Sequence, residues 1–294
     1  MIANLSLAEA HLVCAGLVAI DVSARALRIR WLLEGLGTPV RFRDAIILNA
    51  FGDAACAVTP LRVGGEPARL AGMLRAGVPA SAAFVAISLE VLAAWPVIVA
   101  VMLPLAWWFA PAWWSAALPA LGAAATRAWP WLVILGFLCV AAWYGARRYT
   151  HLARLRRPVR RVRAYWRRMP LWPLISSVPL TLLNLASRVG VLVALAATLP
   201  QREPLGVLLI GSFMLLYAQL IAPTPSGAGV VDFGFLGGAA GSLGGEGAAL
   251  LLAWRFYTSG AGLLLGGGLA VTIYGRAAVA RALTRPGAAP SRRA

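Results

Sequence analysis

Five stretches of this chain are long and apolar enough to cross a bilayer: residues 8–34, 79–109, 128–146, 172–199 and 246–275. Each supplies the ~20 largely apolar residues that a membrane helix needs. Their number and length predict an all-α membrane protein, a polytopic helical bundle. Composition agrees, with AVILMFWYC at 61% and charged residues at 13%. Soluble domains run near 45–50% and ~25%, even with Gly counted as apolar. A soluble enzyme, a disordered chain and a collagen are excluded together.

Two further apolar regions, 43–76 and 205–242, are interrupted near their middles. The first break is Thr59-Pro60-Leu61-Arg62-Val63-Gly64-Gly65-Glu66-Pro67 and the second is Pro223-Thr224-Pro225-Ser226-Gly227-Ala228-Gly229. Each flanking half spans only part of a ~30 Å hydrocarbon core at ~1.5 Å per residue. The spacing therefore predicts two re-entrant helical hairpins. Irregular backbone at that depth is tolerated only inside protein or beside a water-filled cavity. The order helix–hairpin–helix occurs twice, in opposite directions. That arrangement points to a transporter with an inverted repeat. The expected organisation is a single transmembrane domain, 1–294. Its parts are a first half 8–109, a linking helix 128–146, a basic loop 147–168, a second half 172–275 and a basic tail 276–294.

All 27 basic residues are Arg, and the formal net charge is +17. The arginines cluster beside apolar spans, in 25–43, in 147–168 and from Arg276 onward. That distribution follows the positive-inside rule and attraction to anionic headgroups rather than nucleic-acid binding. It predicts an integral protein of the bacterial inner membrane with the N-terminus outside and the C-terminus cytoplasmic. Trp107, Trp108, Trp113, Trp114 and Trp129 form the expected outer aromatic belt. Leu152, Leu155, Val159 and Val162 give 147–168 an amphipathic pattern, with an interruption expected at Pro158. The N-terminus lacks the basic region of a signal peptide, so 8–34 reads as a retained helix. Cys14, Cys56 and Cys139 have no CxxC spacing and read as small buried apolar residues. His11 and His151 are far apart, so no metal site is expected, nor any cofactor. No catalytic motif stands out, and with no Lys there is no Walker motif.

Ionisable residues at membrane depth are costly and normally face a bundle interior or cavity. Here they are Asp21, Arg25, Asp53, Arg62, Glu66, Arg69, Glu90, Arg188, Asp232 and Arg255. Asp21 and Arg25 sit four apart on one helix face and can pair. Pro67 suits the first position of a helix, and Gly64-Gly65 would leave that helix start uncovered. Free N–H groups and the positive dipole end then favour an anion, with Arg62 and Arg69 able to fork onto phosphate oxygens. The alternative is that Glu66 caps the helix and pairs with Arg69. At the second break Gly227 and Gly229 precede a helix beginning near Val230, with Asp232 in its first turn. Arg255 and Arg188 have no charged neighbour in sequence and need a tertiary partner or a ligand anion, and Asn184 lies one turn before Arg188. The expected headgroup contacts are Arg62, Gly64, Gly65, Glu66, Arg69, Gly227, Gly229, Asp232 and Arg255. Supporting roles fall to Asp21, Arg25, Asn49, Asp53, Glu90, Asn184 and Arg188.

At these motifs the chain resembles the lysylphosphatidylglycerol synthase transmembrane-region family of flippase-like membrane proteins. The matching elements are Leu27-Arg28-Ile29-Arg30-Trp31, Asn49, Thr59-Pro60, Gly64-Gly65-Glu66-Pro67-Ala68-Arg69, the second break with its following acid, and Trp254-Arg255. Asp232 departs from the Glu usual in the family. The resemblance implies movement of an anionic or phosphate-bearing lipid, of the polyprenyl phosphate class among others, between leaflets. It also allows a lipid-modifying enzyme as partner. The full synthases append a cytoplasmic aminoacyltransferase. Only a basic tail follows the last helix here, so aminoacyl-lipid synthesis is not expected. Two other readings stand beside transport: an intramembrane enzyme acting on lipid headgroups, and a non-transporting partner of such an enzyme.

Overall fold

The computed structural model describes residues 5–109, 153–200, 204–239 and 246–284, with isolated positions between 126 and 141. Among these residues every regular element is a helix. The first half runs α1 (Leu7–Gly35), α2 (Phe42–Val58), α3 (Gly65–Arg75) and α4 (Ala80–Phe109). A basic helix follows, α5 (Ala153–Arg168). The second half is α6 (Trp172–Ala196), α7 (Leu205–Ile221), α8 (Val230–Ala239), α9 (Glu246–Arg255), a π-helical turn (Phe256–Gly260) and α10 (Ala261–Thr284).

Local chemistry sets most of these boundaries. Ser6 and Glu9 form a reciprocal capping box that starts α1, satisfying two otherwise unpaired donors. Gly37, at φ +74°, turns the chain off α1 in a conformation that other residues resist. Pro96 and Pro104 lie inside α4, and Pro179 inside α6. The break expected at Pro158 does not occur, because α5 runs unbroken from Ala153 to Arg168. At the sixth position Pro158 lacks the N–H for one intrahelical bond, and the helix continues past it.

Among the described residues three helices are long and apolar enough to cross a membrane, namely Ala80–Phe109, Trp172–Ala196 and the continuous segment Glu246–Ile273. At 29 residues α1 reaches ~43 Å, yet it carries Asp21, Arg25, Arg28 and Arg30. Of the linking helix expected at 128–146 only isolated positions are described, all of them helical, and Trp113, Trp114 and Trp129 lie outside the described residues. Trp107 and Trp108 are exposed at the end of α4.

The two halves pack in matching fashion. Helices α1 and α6, the first of each half, lie along one another. Contacts of α1 with α2 have their counterpart in α6 with α7, and those of α2 with α10 in α7 with α4. Small residues permit the close approaches, as is usual where lipid removes any hydrophobic drive between helices. A Cβ on Gly72 would lie 2.8 Å from Leu48, and one on Gly266 only 1.9 Å from the carbonyl oxygen of Ala50. The largest apolar core, built on Ile29, Leu32, Leu33, Leu48, Met73, Val85 and Leu89, joins the first four helices. Val162 and Tyr165 of α5 rest against it.

Candidate functional site

Asp21, Arg25 and Arg28 recur at spacings of four and three, which places them on one stripe of α1. The stripe faces the interior, and each residue finds its partners on other helices. Arg25 forks onto Asp53 of α2, Nη1 to Oδ1 at 2.7 Å and Nη2 to Oδ2 at 2.8 Å, while Nη2 also reaches Asp21 at 2.9 Å. Asp21 further accepts from Asn184 and, at 3.2 Å, from Arg188 Nε, both on α6. Arg28 donates to Glu90 Oε1 on α4 through Nε at 3.0 Å and Nη2 at 2.6 Å, and to Thr181 Oγ1 at 3.0 Å. The other oxygen of Glu90 accepts from Arg69 of α3, whose Nη1 lies 3.3 Å from Glu66.

These bonds decide several expectations. The Asp21–Arg25 pair forms, as part of a larger network. Arg25 and Arg28 stand in the bundle, not in a cytoplasmic loop, so they drop out of the charge count that sets orientation. Arg28 and Thr181 are members that the sequence reading did not place in the site. Pairing of buried charges is what makes such burial tolerable, and Glu90 serves two guanidinium groups at once.

The breaks form the second component. Thr59-Pro60 and Thr224-Pro225 lead into the same turn. Arg62 N–H donates to Thr59 O and Val63 N–H to Pro60 O. Gly227 N–H donates to Thr224 O and Ala228 N–H to Pro225 O in the same pattern. Leu61, Arg62, Ser226 and Gly227 all have φ between +49° and +69°. The two tips touch. Pro60 and Pro225 form an antiparallel bridge, Ser226 Oγ donates to Ala57 O at 3.2 Å, and Arg62 Nη1 donates to Gln219 Oε1 at 2.6 Å.

Roles at the tips differ from the expectation in three respects. Helix α3 begins at Gly65, so Pro67 is its third residue and not its first. Gly64 and Gly65 are required for packing within the first pair of helices, since a Cβ on Gly65 would sit 2.3 Å from Cys56 Sγ and one on Gly64 2.7 Å from Thr59. Glu66 pairs with Arg69 but makes no capping bond. At the second tip Asp232 accepts from Gly229 N–H at 2.9 Å, so the start of α8 is occupied by its own acid. Arg255 does find tertiary partners: Asp232 Oδ1 at 2.7 Å from Nε, Ser226 O at 2.5 Å from Nη1, and Gly227 O at 3.3 Å from Nη2. It ends α9 at the tenth residue of the apolar segment Glu246–Ile273, where the helix loosens into the π turn. Such turns recur at functional sites.

Charge does not balance in this interior. Arg25, Arg28, Arg69, Arg188 and Arg255 are all in ion pairs, and so are Asp21, Asp53, Glu66, Glu90 and Asp232. Arg62 has no carboxylate within salt-bridge reach among the described residues. Its partner is the neutral Gln219, whose place in an otherwise apolar helix is the one sequence signal of its role. Hydrogen-bond capacity is lopsided in the same direction. Arg25 Nε, Arg69 Nε, Asn49 Nδ2 and Gln219 Nε2 are buried donors without an acceptor. A cavity of about 40 Å³ lies among Asp21, Arg25, Asn49, Asp53, Arg188 and Thr258, room for two or three waters. Surplus donors and one surplus positive charge suit an acceptor-rich anion. Among the described residues no three His, Cys, Asp or Glu gather as a metal site would require.

The family model described as the lysylphosphatidylglycerol synthase TM region matches residues 2–266. The chain belongs to this family. Its match covers both breaks and every member of the ion-pair network, and with the apolar helices it makes this an integral membrane protein. No curated protein and no solved structure matches the chain. The residue roles in this member of the lysylphosphatidylglycerol synthase transmembrane-region family are therefore drawn from its own geometry.

Proposed function

We propose that this protein moves an anionic or phosphate-bearing lipid between leaflets of a bacterial inner membrane, without altering the lipid chemically. The two helix pairs α2–α3 and α7–α8 act as opposed re-entrant hairpins, with the N-terminus outside and the C-terminus cytoplasmic. One observation carries the reading: the two Thr-Pro tips meet, and Arg62 stands at their junction with no carboxylate in salt-bridge reach among the described residues. Buried, unpaired donors on Asn49 and Gln219 support it, because a phosphate oxygen would satisfy them. So does the matched packing of the halves, which an alternating-access transporter requires. In this scheme the headgroup binds Arg62 in place of the Gln219 amide oxygen. Arg255 and Asp232 keep the second tip in shape, and the Glu90 and Asp21 clusters hold α1 against both halves. Only a few polar bonds join the tips, so their separation is a small step.

The test is lipid translocation in proteoliposomes, with fluorescent phosphatidylglycerol, phosphatidylcholine and a polyprenyl phosphate as probes. Arg62→Gln should lower the rate for the anionic probes about tenfold, the equivalent of ~1.4 kcal/mol, with thermal unfolding unchanged. Wild-type rates in that variant would overturn the placement of the site. A wild-type protein that moves none of the probes would overturn the function. A change in the mass of the probe lipid would establish the headgroup-modifying enzyme instead. Activity appearing only with a co-purified enzyme would establish the partner role.

A further inference from the structure

A second cavity lies away from the tips, where α5 meets the bundle. It measures about 440 Å³ and is lined by Gly35 and Leu36 at the end of α1, Pro79 and Ser81 at the start of α4, and Arg161, Ala164, Tyr165 and Arg168 of α5. Of the α5 arginines whose side chains are described, Arg161 and Arg168 line it. They lie seven residues apart, on one helix face and ~10 Å along the axis, with Tyr165 between them. Tyr165 and Val162 anchor that same face on the apolar core. Among the described residues neither arginine is in an ion pair, and the exposed Glu34 beside the cavity pairs with neither. Facing the arginines is the positive end of the 30-residue helix α4. Among the described residues the polar part of the wall thus offers guanidinium and hydroxyl donors and no acid, while Leu36, Pro79 and Ala164 make the remainder apolar.

We propose that this cavity binds the phosphate of an anionic membrane lipid, with the guanidinium groups of Arg161 and Arg168 and the Tyr165 hydroxyl on its oxygens and the glycerol backbone against Leu36 and Pro79. The mixed wall favours a lipid over free phosphate, because a free anion gains nothing from the apolar side. The bound lipid clamps α5 to the ends of α1 and α4. The site is independent of Arg62 and survives if the transport reading fails.

Native mass spectrometry of the full chain in detergent, titrated with dioleoylphosphatidylglycerol or dioleoylphosphatidylcholine, tests the assignment. The wild-type protein should retain phosphatidylglycerol in preference to phosphatidylcholine. Arg161→Gln with Arg168→Gln should weaken retention about tenfold, as the loss of charge-assisted bonds implies. The pair Arg160→Gln with Arg167→Gln, equal in charge but outside the cavity, should change it less than about twofold. Ala164→Trp, which fills the space and keeps every arginine, should also weaken it about tenfold, and Tyr165→Phe should weaken it measurably if the larger residue prevents folding. Arg62→Gln should leave this adduct in place. Equal loss in the two Gln pairs would reduce α5 to a general polybasic surface and overturn the proposal. Displacement by millimolar inorganic phosphate would reassign the cavity to a soluble anion. Full retention in both Ala164→Trp and Tyr165→Phe would place the lipid elsewhere.

Discussion

Glu90 shows what one residue does in this interior. Its side chain is 5% exposed and its two oxygens serve Arg28 and Arg69, which come from α1 and α3. Removing its charge leaves two buried guanidinium groups without their shared acid, and breaking a buried pair costs ~3–5 kcal/mol. Glu90→Gln should therefore lower the thermal midpoint in detergent more than Arg28→Gln or Arg69→Gln does, since each of those removes one of the two ion pairs of Glu90. Equal effects from all three would mean that the two pairs are not coupled through Glu90. Arg62 is the opposite case. Among the described residues it is paired only with a neutral amide, so Arg62→Gln should leave unfolding where it was, and any loss it causes belongs to function.

Among the elements, the glycine-rich stretch of α10 is the clearest example of sequence serving contact. Gly266 crosses α2 so closely that a Cβ would fall 1.9 Å from the Ala50 carbonyl oxygen, a backbone atom that cannot swing aside. A Cβ on Gly267 would meet nothing within 4 Å. Gly266→Ala should destabilise by ~1–3 kcal/mol, the usual cost of overpacking, seen as a lower unfolding temperature. Gly267→Ala should be neutral or slightly stabilising, because Ala is the better helix former. Similar shifts for both would show that α2 and α10 are less closely packed than this.

Over the whole molecule, the paired organisation makes a topological claim. If the halves run in opposite directions through the bilayer, the segment after α1 and the segment after α6 lie on opposite sides. Single cysteines at Thr38 and Pro200, in a chain with Cys14, Cys56 and Cys139 replaced, should react with a membrane-impermeant maleimide from opposite faces. Reaction of both from one face would rule out the inverted arrangement, whatever the transport assays show.

The elements themselves were legible from the sequence. Apolar length and Pro/Gly placement are local properties, and they put the two breaks within a few residues of where α2–α3 and α7–α8 turn. Even so, the local signal misplaced Pro67 by two positions and read a break at Pro158 that the helix spans. The residues that belong to the interior were mostly legible too, because a charge within an apolar run has few other places to go. Arg28 escaped notice by lying next to the basic run that ends α1, and Gln219 by being neutral. Which groups pair was settled only by the tertiary structure. Arg28 meets Glu90, Asp21 meets Arg188, and Arg62 meets Gln219 across separations of 62, 167 and 157 residues. Any arginine can bond any carboxylate, so the choice rests on how helices pack. The same packing turned Gly64, Gly65, Asp232 and Arg255 from exposed anion contacts into parts that hold the tips in shape, and left Arg62, among the described residues, with no carboxylate in salt-bridge reach.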